Sequence, residues 1–326
     1  MNMELNPADI TIAITVYDRR DFLEQAIDSA LNQTVPVKIM VVEDCGPDLT
    51  LQSWVKSKYG SRLEYIRNPR RRGLFDNWNA CLDYCRTPWL SILHDDDYLK
   101  PTFVETMLGL HQAAPGRGLY FGGFMVVDHH GQIIPFGQAV VRNPWQDIDL
   151  RSLADENVLG FAGHFFPVAA AKRAGGFRAA SIFCGDWEMW FRLVAQLGGV
   201  HTGTEVVFVR SYEDWRKGTT QVVRTGKNYA ATIVQRKRNY AYLKVAGLVQ
   251  AFDVQSLCSK SSMTSRHLIL HGASSSRRLF NYNVKLFQTL RPVTPGQKLF
   301  QCAVRLAGPG FVRCLSRLWR LGSRCP

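Results

Sequence analysis

Acidic residues are almost missing from the last third of this 326-residue chain: residues 215–326 hold Asp253 alone, against 20 Lys+Arg. Residues 1–214 hold 26 Asp+Glu and 20 Lys+Arg, so a balance of −6 there and +19 beyond make up the net +13. A change this abrupt divides the chain by role. Residues 1–214 read as an acidic-to-neutral globular domain, and 215–326 as a basic region that must face an anionic partner or stay solvated. No run of eighteen apolar residues occurs. The longest candidate, 158–171, is too short and carries His164 and Pro167, so no segment reads as a membrane-spanning helix. No Lys or Arg precedes Arg19, while Glu4 and Asp9 do, so the amino terminus is not expected to act as a secretory signal. Cys-x-x-Cys pairs are missing too. The eight cysteines follow no metal or disulfide spacing, and Cys81 and Cys85 lack further ligands nearby, which argues for reduced thiols in a cytoplasmic protein.

The most telling segment is Leu93-His94-Asp95-Asp96-Asp97-Tyr98-Leu99, three adjacent carboxylates behind the apolar run Trp89-Leu90-Ser91-Ile92-Leu93. That run reads as a buried strand, so the acids sit together at one edge of a sheet. Like charges ~5 Å apart repel by on the order of 1 kcal/mol even in water. A divalent cation with oxygen ligands removes that cost, and Mg²⁺ or Mn²⁺ held by carboxylates commonly also holds phosphate. Upstream, 10–16 reads as a β-branched strand, 22–31 as a helix capped by Asp18 or Asp21, and 37–42 as a second strand. A helix over 54–59, a strand over 63–66 and a helix over 75–85 follow. This alternation predicts an α/β fold with a mostly parallel sheet covered on both faces. Ligands of such sheets bind beyond the carboxyl ends of the strands, where Tyr17-Asp18, Glu43-Asp44 and Asp95–Asp97 all fall. Strands are expected at 119–127 and 133–134 around an Asp128–Gly131 turn, and a helix with an apolar stripe follows Asp186.

The order of these motifs resembles the large inverting glycosyltransferase family 2, whose members have the GT-A fold. The matching pieces are Ile14-Thr15-Val16-Tyr17-Asp18-Arg19, Leu23-x-x-Ala26-Ile27-x-Ser29-x-Leu31-x-Gln33-Thr34, Val41-Val42-Glu43-Asp44, the stretch 68–79, Leu93 to Pro101, and Gly185-Asp186-Trp187-Glu188-x-Trp190-x-Arg192-Leu193. The resemblance covers about residues 9–214 and implies a nucleotide diphosphate sugar as donor. It implies that Thr15 and Tyr17 contact and stack on the base, that Asp44 accepts the imide hydrogen, and that Arg71 within Arg70-Arg71-Arg72 meets phosphate. Asp95 and Asp96 would serve the nucleotide, Asp96 beside the ribose, and Asp97 would hold Mg²⁺ or Mn²⁺. Many relatives begin this motif with Asp where His94 stands, which leaves Asp95 and Asp97 open as the main metal ligand. Asp186 matches the catalytic base, with Glu188 as the fallback. Relatives often carry Glu where Gly185 stands. His164 either lines an acceptor pocket or is structural, and Trp187 and Trp190 either stack on a sugar or pack the core.

A nucleotidyltransferase is the enzymatic rival, but Tyr17-Asp18-Arg19-Arg20 contains no glycine for a phosphate loop after the first strand. A nucleic-acid-binding role for the basic region finds no recognised motif, so no nucleic acid partner is expected. The expected acceptor is a glycan or lipid-linked saccharide of a cell-surface polysaccharide pathway, reached at an anionic membrane surface. Arg313, Arg317, Arg320 and Arg324 form one stripe of a helix expected over 309–324, opposite Phe311, Leu315 and Leu318. That pattern would place a cytoplasmic protein peripherally on the inner membrane face.

Overall fold

The computed structural model describes residues 5–135, 145–178, 184–211 and 227–248. The strands are β1 (Ile10–Val16), β2 (Lys38–Glu43), β3 (Glu64–Arg67), β4 (Trp89–His94), β5 (Tyr98–Leu99), β6 (Leu119–Val127), β7 (Ile133–Ile134), β8 (Gln146–Asp147), β9 (His164–Pro167) and β10 (Gly199–Arg210). The helices are α1 (Leu23–Leu31), α2 (Leu51–Tyr59), α3 (Leu74–Tyr84), α4 (Phe103–Ala113), α5 (Leu150–Asp155), α6 (Val168–Arg173), α7 (Gly185–Leu197) and α8 (Lys227–Val245). Two compact units are present. Of the described residues, one comprises 5–135, 145–153, 157–178 and 185–211, and the other 154–156, 184 and 227–248.

In the first unit the sheet runs β3-β2-β1-β4-β9-β6-β10-β5, with β7 beside β6 and β8 beside β10. β3, β2, β1 and β4 are all parallel, β9 is antiparallel to β4 and β6, and β6 and β10 are parallel. All seven residues of β1 are buried, which a strand covered on both faces requires. Ile10, Ile12, Ile14 and Val16 share one apolar cluster with Leu23, Ile27, Leu51 and Val55 of α1 and α2. On β1's alternate positions, the Thr11 hydroxyl meets that of Thr87 at 2.7 Å, and the Thr15 hydroxyl donates to the Leu93 carbonyl at 3.4 Å. Buried hydroxyls are thus satisfied within the sheet.

The expected strands and helices of the first hundred residues are present within a few residues of their expected ends. The expected cap of α1 is not. Phe22 occupies the N-cap position without a side-chain hydrogen bond, and Asp18 and Asp21 do not cap the helix. Instead Leu23 N–H donates to the Arg20 carbonyl, so a backbone turn starts the helix. β6 and β7 flank the Asp128–Gly131 turn, where the Asp128 carboxylate accepts from the backbone N–H groups of His130 and Gln132.

In the second unit, α8 is tied to residues 154–156. Asn239 Nδ2 donates to the Ala154 carbonyl at 3.3 Å, and the Tyr240 hydroxyl donates to Asp155 Oδ1 at 2.9 Å. The helix expected over 309–324 lies outside the described residues. Among those described, no helix is long and apolar enough to cross a membrane, and Cys45, Cys81 and Cys85 are free thiols.

Candidate active site

Strand register builds the site. Val16 pairs with Glu43, and Thr15 with His94, so β1, β2 and β4 end side by side. Tyr17, Asp44 and Asp95 are the next residues of the three strands and are delivered to one edge. Two of these turns touch closely. A Cβ on Gly46 would lie 1.7 Å from the Tyr17 carbonyl oxygen, so only glycine lets the β1 and β2 turns meet this way.

Asp44 is buried and accepts two backbone hydrogen bonds, from Arg72 N–H at 2.7 Å and Gly73 N–H at 2.8 Å. The arginine-rich loop is therefore anchored on this sheet edge by Asp44. Gly73 ends it at a φ of 85°, in the left-handed region. Anchoring in turn holds Arg71 with its guanidinium 4.2 Å above the Tyr17 ring. Beneath, Asn68 Nδ2 donates to Asn77 Oδ1 at 2.8 Å, which joins α3 to the end of β3. Glu43, fully buried, accepts from Gly46 N–H, the Tyr65 hydroxyl and Arg67, while Arg67 also donates to the Gly46 carbonyl. Sequence reading passed over Glu43 as a strand end; its partners on β3 become visible only with the register.

The acid turn is buried: Asp95, Asp96 and Asp97 are 3%, 9% and 5% exposed. Asp95 pairs with Arg19 at 2.8 Å, and Asp96 pairs with the same guanidinium. Burial raises the Asp95 pKa to about 7 against the opposing pull of Arg19. Asp97 is also pushed well above the ordinary carboxylate range, by burial first and by Asp96 next. Its Oδ1 accepts from Arg210 N–H at 2.9 Å, and Arg210 further donates to the carbonyls of Asp96, Asp128 and His129 and to Gln25 Oε1. Arg19 and Arg210 were both missed as site residues. Arg19 was legible in principle, because it follows Tyr17 and Asp18 at the same sheet edge. Arg210, 113 residues from Asp97, was not.

His94 ends β4 with its Nδ1 3.8 Å from Asp97 Oδ2. Its ring stacks on Phe161 at 4.1 Å, and burial lowers its pKa to about 4, so the imidazole is neutral near pH 7. His94, Asp96 and Asp97 offer ligand atoms within 4.8 Å of one another, a donor set that fits one divalent cation.

Asp186 lies in the first turn of α7. Burial raises its pKa to about 6, opposed by hydrogen bonds from the Trp187 backbone and from Asn157 Nδ2, the latter at 2.9 Å. Glu188 has a different office. It accepts from Arg192 Nε at 2.7 Å and from the second Arg192 nitrogen at 2.6 Å, while Arg192 also donates to the carbonyls of Ala174 and Gly176. This buried ion pair fixes the Gly175-Gly176 turn and engages both Glu188 oxygens. His164 is structural: it is fully buried, its Nε2 accepts from Ile92 N–H at 3.2 Å, and its Nδ1 pairs with the Phe161 carbonyl. Trp187 and Trp190 are buried in the core, and their indole N–H groups donate to the carbonyls of Leu153 and Gly160. None of these three side chains is open to a sugar.

Comparison with solved structures places the architecture. Staphylococcus aureus TarS 1–349, solved in complex with UDP-GlcNAc, superposes with a TM-score of 0.56, covering 86% of this chain and 90% of that one at 12% identity. The fold is GT-A. Residues 11–169 match the family model Glycosyl transferase family 2. It is 30% identical over 161 residues to the succinoglycan biosynthesis protein ExoO of Rhizobium meliloti, covering 48% of this chain and 45% of that protein. A protein of Mycobacterium tuberculosis is 28% identical over 264 residues, covering 74% of this chain and 78% of its own length. The chain thus spans under half of the ExoO length.

Proposed function

We propose that this protein is a metal-dependent, inverting glycosyltransferase that moves a sugar from a nucleotide diphosphate sugar to an acceptor hydroxyl of a lipid-linked or surface glycan. The observation that carries the reading is the shared edge of β1, β2 and β4, which gathers Tyr17, Asp44 and the buried acid turn. Tyr17 with Thr15 receives the base, Asp44 orients it and the loop above it, and Arg71 leaves the Tyr17 face for phosphate. Asp95 and Asp96 meet the ribose side of the donor. Asp97, with its neighbours in the turn, holds Mg²⁺ or Mn²⁺, which supplies positive charge for the departing diphosphate. Asp186 takes the proton of the attacking hydroxyl, and a single in-line displacement inverts the anomeric carbon. A carboxylate held near pKa 6 is basic enough for that task and still ionised at neutral pH.

The ExoO name links that relative to succinoglycan biosynthesis, which supports a polysaccharide pathway for this chain. Residues 1–214 act as the catalytic domain, and the basic region 215–326 docks on an anionic cytoplasmic membrane face where a lipid-linked acceptor is found. A thermal-shift screen of nucleotide sugars with and without Mn²⁺ tests the donor. A ligand at 100 times its Kd adds ~2.7 kcal/mol. Stabilisation that requires both nucleotide and cation supports the reading. Equal melting with every nucleotide overturns it.

A further inference from the structure

The acid turn contains one nitrogen donor, and its position is constrained. The His94 ring lies within 8° of parallel to Phe161 and within 16° of parallel to Trp78, at 4.1 and 5.7 Å. Trp78 and Phe161 also stack on each other at 4.4 Å, so the ring has little room to turn. Its Nδ1 lies 3.8 Å from Asp97 Oδ2, and 25% of the side chain is exposed. Its Nε2 is buried with no hydrogen-bond partner.

Packing does not account for a histidine here. A buried polar nitrogen without a partner costs about 1–3 kcal/mol, which a hydrocarbon ring in the same stack would avoid. The ring's chemistry has an outlet on the other side, because His94, Asp96 and Asp97 bring three ligand atoms within 4.8 Å. Asp95 is not of this group.

We propose that His94 is a nitrogen ligand of the divalent cation beside Asp96 and Asp97, and that it biases the site toward Mn²⁺ over Mg²⁺. The inference rests on the metal-dependent reading above. Imidazole is a good ligand for transition ions, whereas Mg²⁺ prefers an all-oxygen octahedron and gives up its water reluctantly. A turn of acids alone would show a smaller bias.

The test is spin-echo spectroscopy of Mn²⁺ bound to the full-length protein with UDP, which reports nitrogen bonded directly to the ion. Wild type should show that nitrogen coupling, and protein grown on isotopically heavy histidine should show it altered, with no substitution needed. His94→Asp, which restores an oxygen ligand, should bind Mn²⁺ without the coupling. Its preference for Mn²⁺ over Mg²⁺, read by displacement of bound Mn²⁺, should fall at least ~10-fold. Bound Mn²⁺ without nitrogen coupling in wild type overturns the His94 assignment and leaves metal dependence standing. Coupling that persists in His94→Asp overturns it as well. Failure to bind Mn²⁺ at all, with or without UDP, overturns both readings.

Discussion

The ring of Phe75 fills the space a side chain on Gly185 would need: a Cβ there would lie 1.9 Å from Phe75 Cε1 and 2.5 Å from Cδ1. Phe75 cannot easily yield, because its ring packs edge-on against Trp78 at 5.2 Å. Relatives of the resemblance often carry Glu at this position. Here the aromatic ring from α3 and the missing side chain at the head of α7 form a matched pair, one residue from Asp186.

Gly185→Glu, the change back toward the commoner residue, should therefore impair this protein. Overpacking costs about 1–3 kcal/mol, and the displaced α7 terminus carries Asp186 out of line. The expected result is a lowered Tm and turnover reduced more than ~10-fold. Adding Phe75→Ala to the same chain should return part of both. Independent, additive losses in the double variant would refute the pairing.

Two acids two residues apart should respond differently to neutralisation. Asp186→Asn is expected to bind donor normally and turn over at least ~10²-fold more slowly, since the base acts on the acceptor. Glu188→Gln should instead cost about 3 kcal/mol of stability by stranding the buried Arg192 guanidinium. Titration of UDP and a denaturant melt on each variant separate the two effects; a stable, inactive Glu188→Gln would reverse the assignment.

The raised pKa of Asp186 sets an acid limb. Below about 6 the carboxyl is protonated and cannot accept the hydroxyl proton, so kcat should climb with pH through that value and level off above it. Asn157 donates to the ionised form and holds the pKa down, so Asn157→Ala should move the limb to higher pH. A limb that stays put in that variant would show that another group titrates.

Arg19 balances two of the three acids in the turn. Arg19→Gln is expected to lower the Tm of the metal-free protein and to enlarge the upward shift produced by Mn²⁺ with UDP, because the cation then relieves repulsion that Arg19 otherwise offsets. Melting curves with and without Mn²⁺ and UDP measure both; an unchanged metal-free Tm would mean the pairing carries no weight.

Much of the fold was legible because β1, β2 and β4 are buried on both faces and so read as continuous apolar runs. The convergence of Tyr17, Asp44 and the acid turn followed from a parallel sheet. What escaped were contacts set by distance in the chain: Arg210 on Asp97, Glu43 with Tyr65 and Arg67, and Asn157 on Asp186. Side-chain choices with two outlets also escaped. Glu188 and His164 have the chemistry of an active site, and only their partners, Arg192 and the Ile92 N–H, reveal structural work. The cap of α1 failed because a backbone turn did what Asp18 or Asp21 was expected to do.

The Arg210 side chain and backbone reach α1, the acid turn and the β6–β7 turn at once. The shape of the acid turn is thus set by the fold itself. On the proposed reading, a diphosphate that docks on this turn forfeits little affinity to ordering it. Small diphosphate mimics, too weak to drive a rearrangement, should still find their seat here, which makes this edge suited to fragment-sized inhibitors.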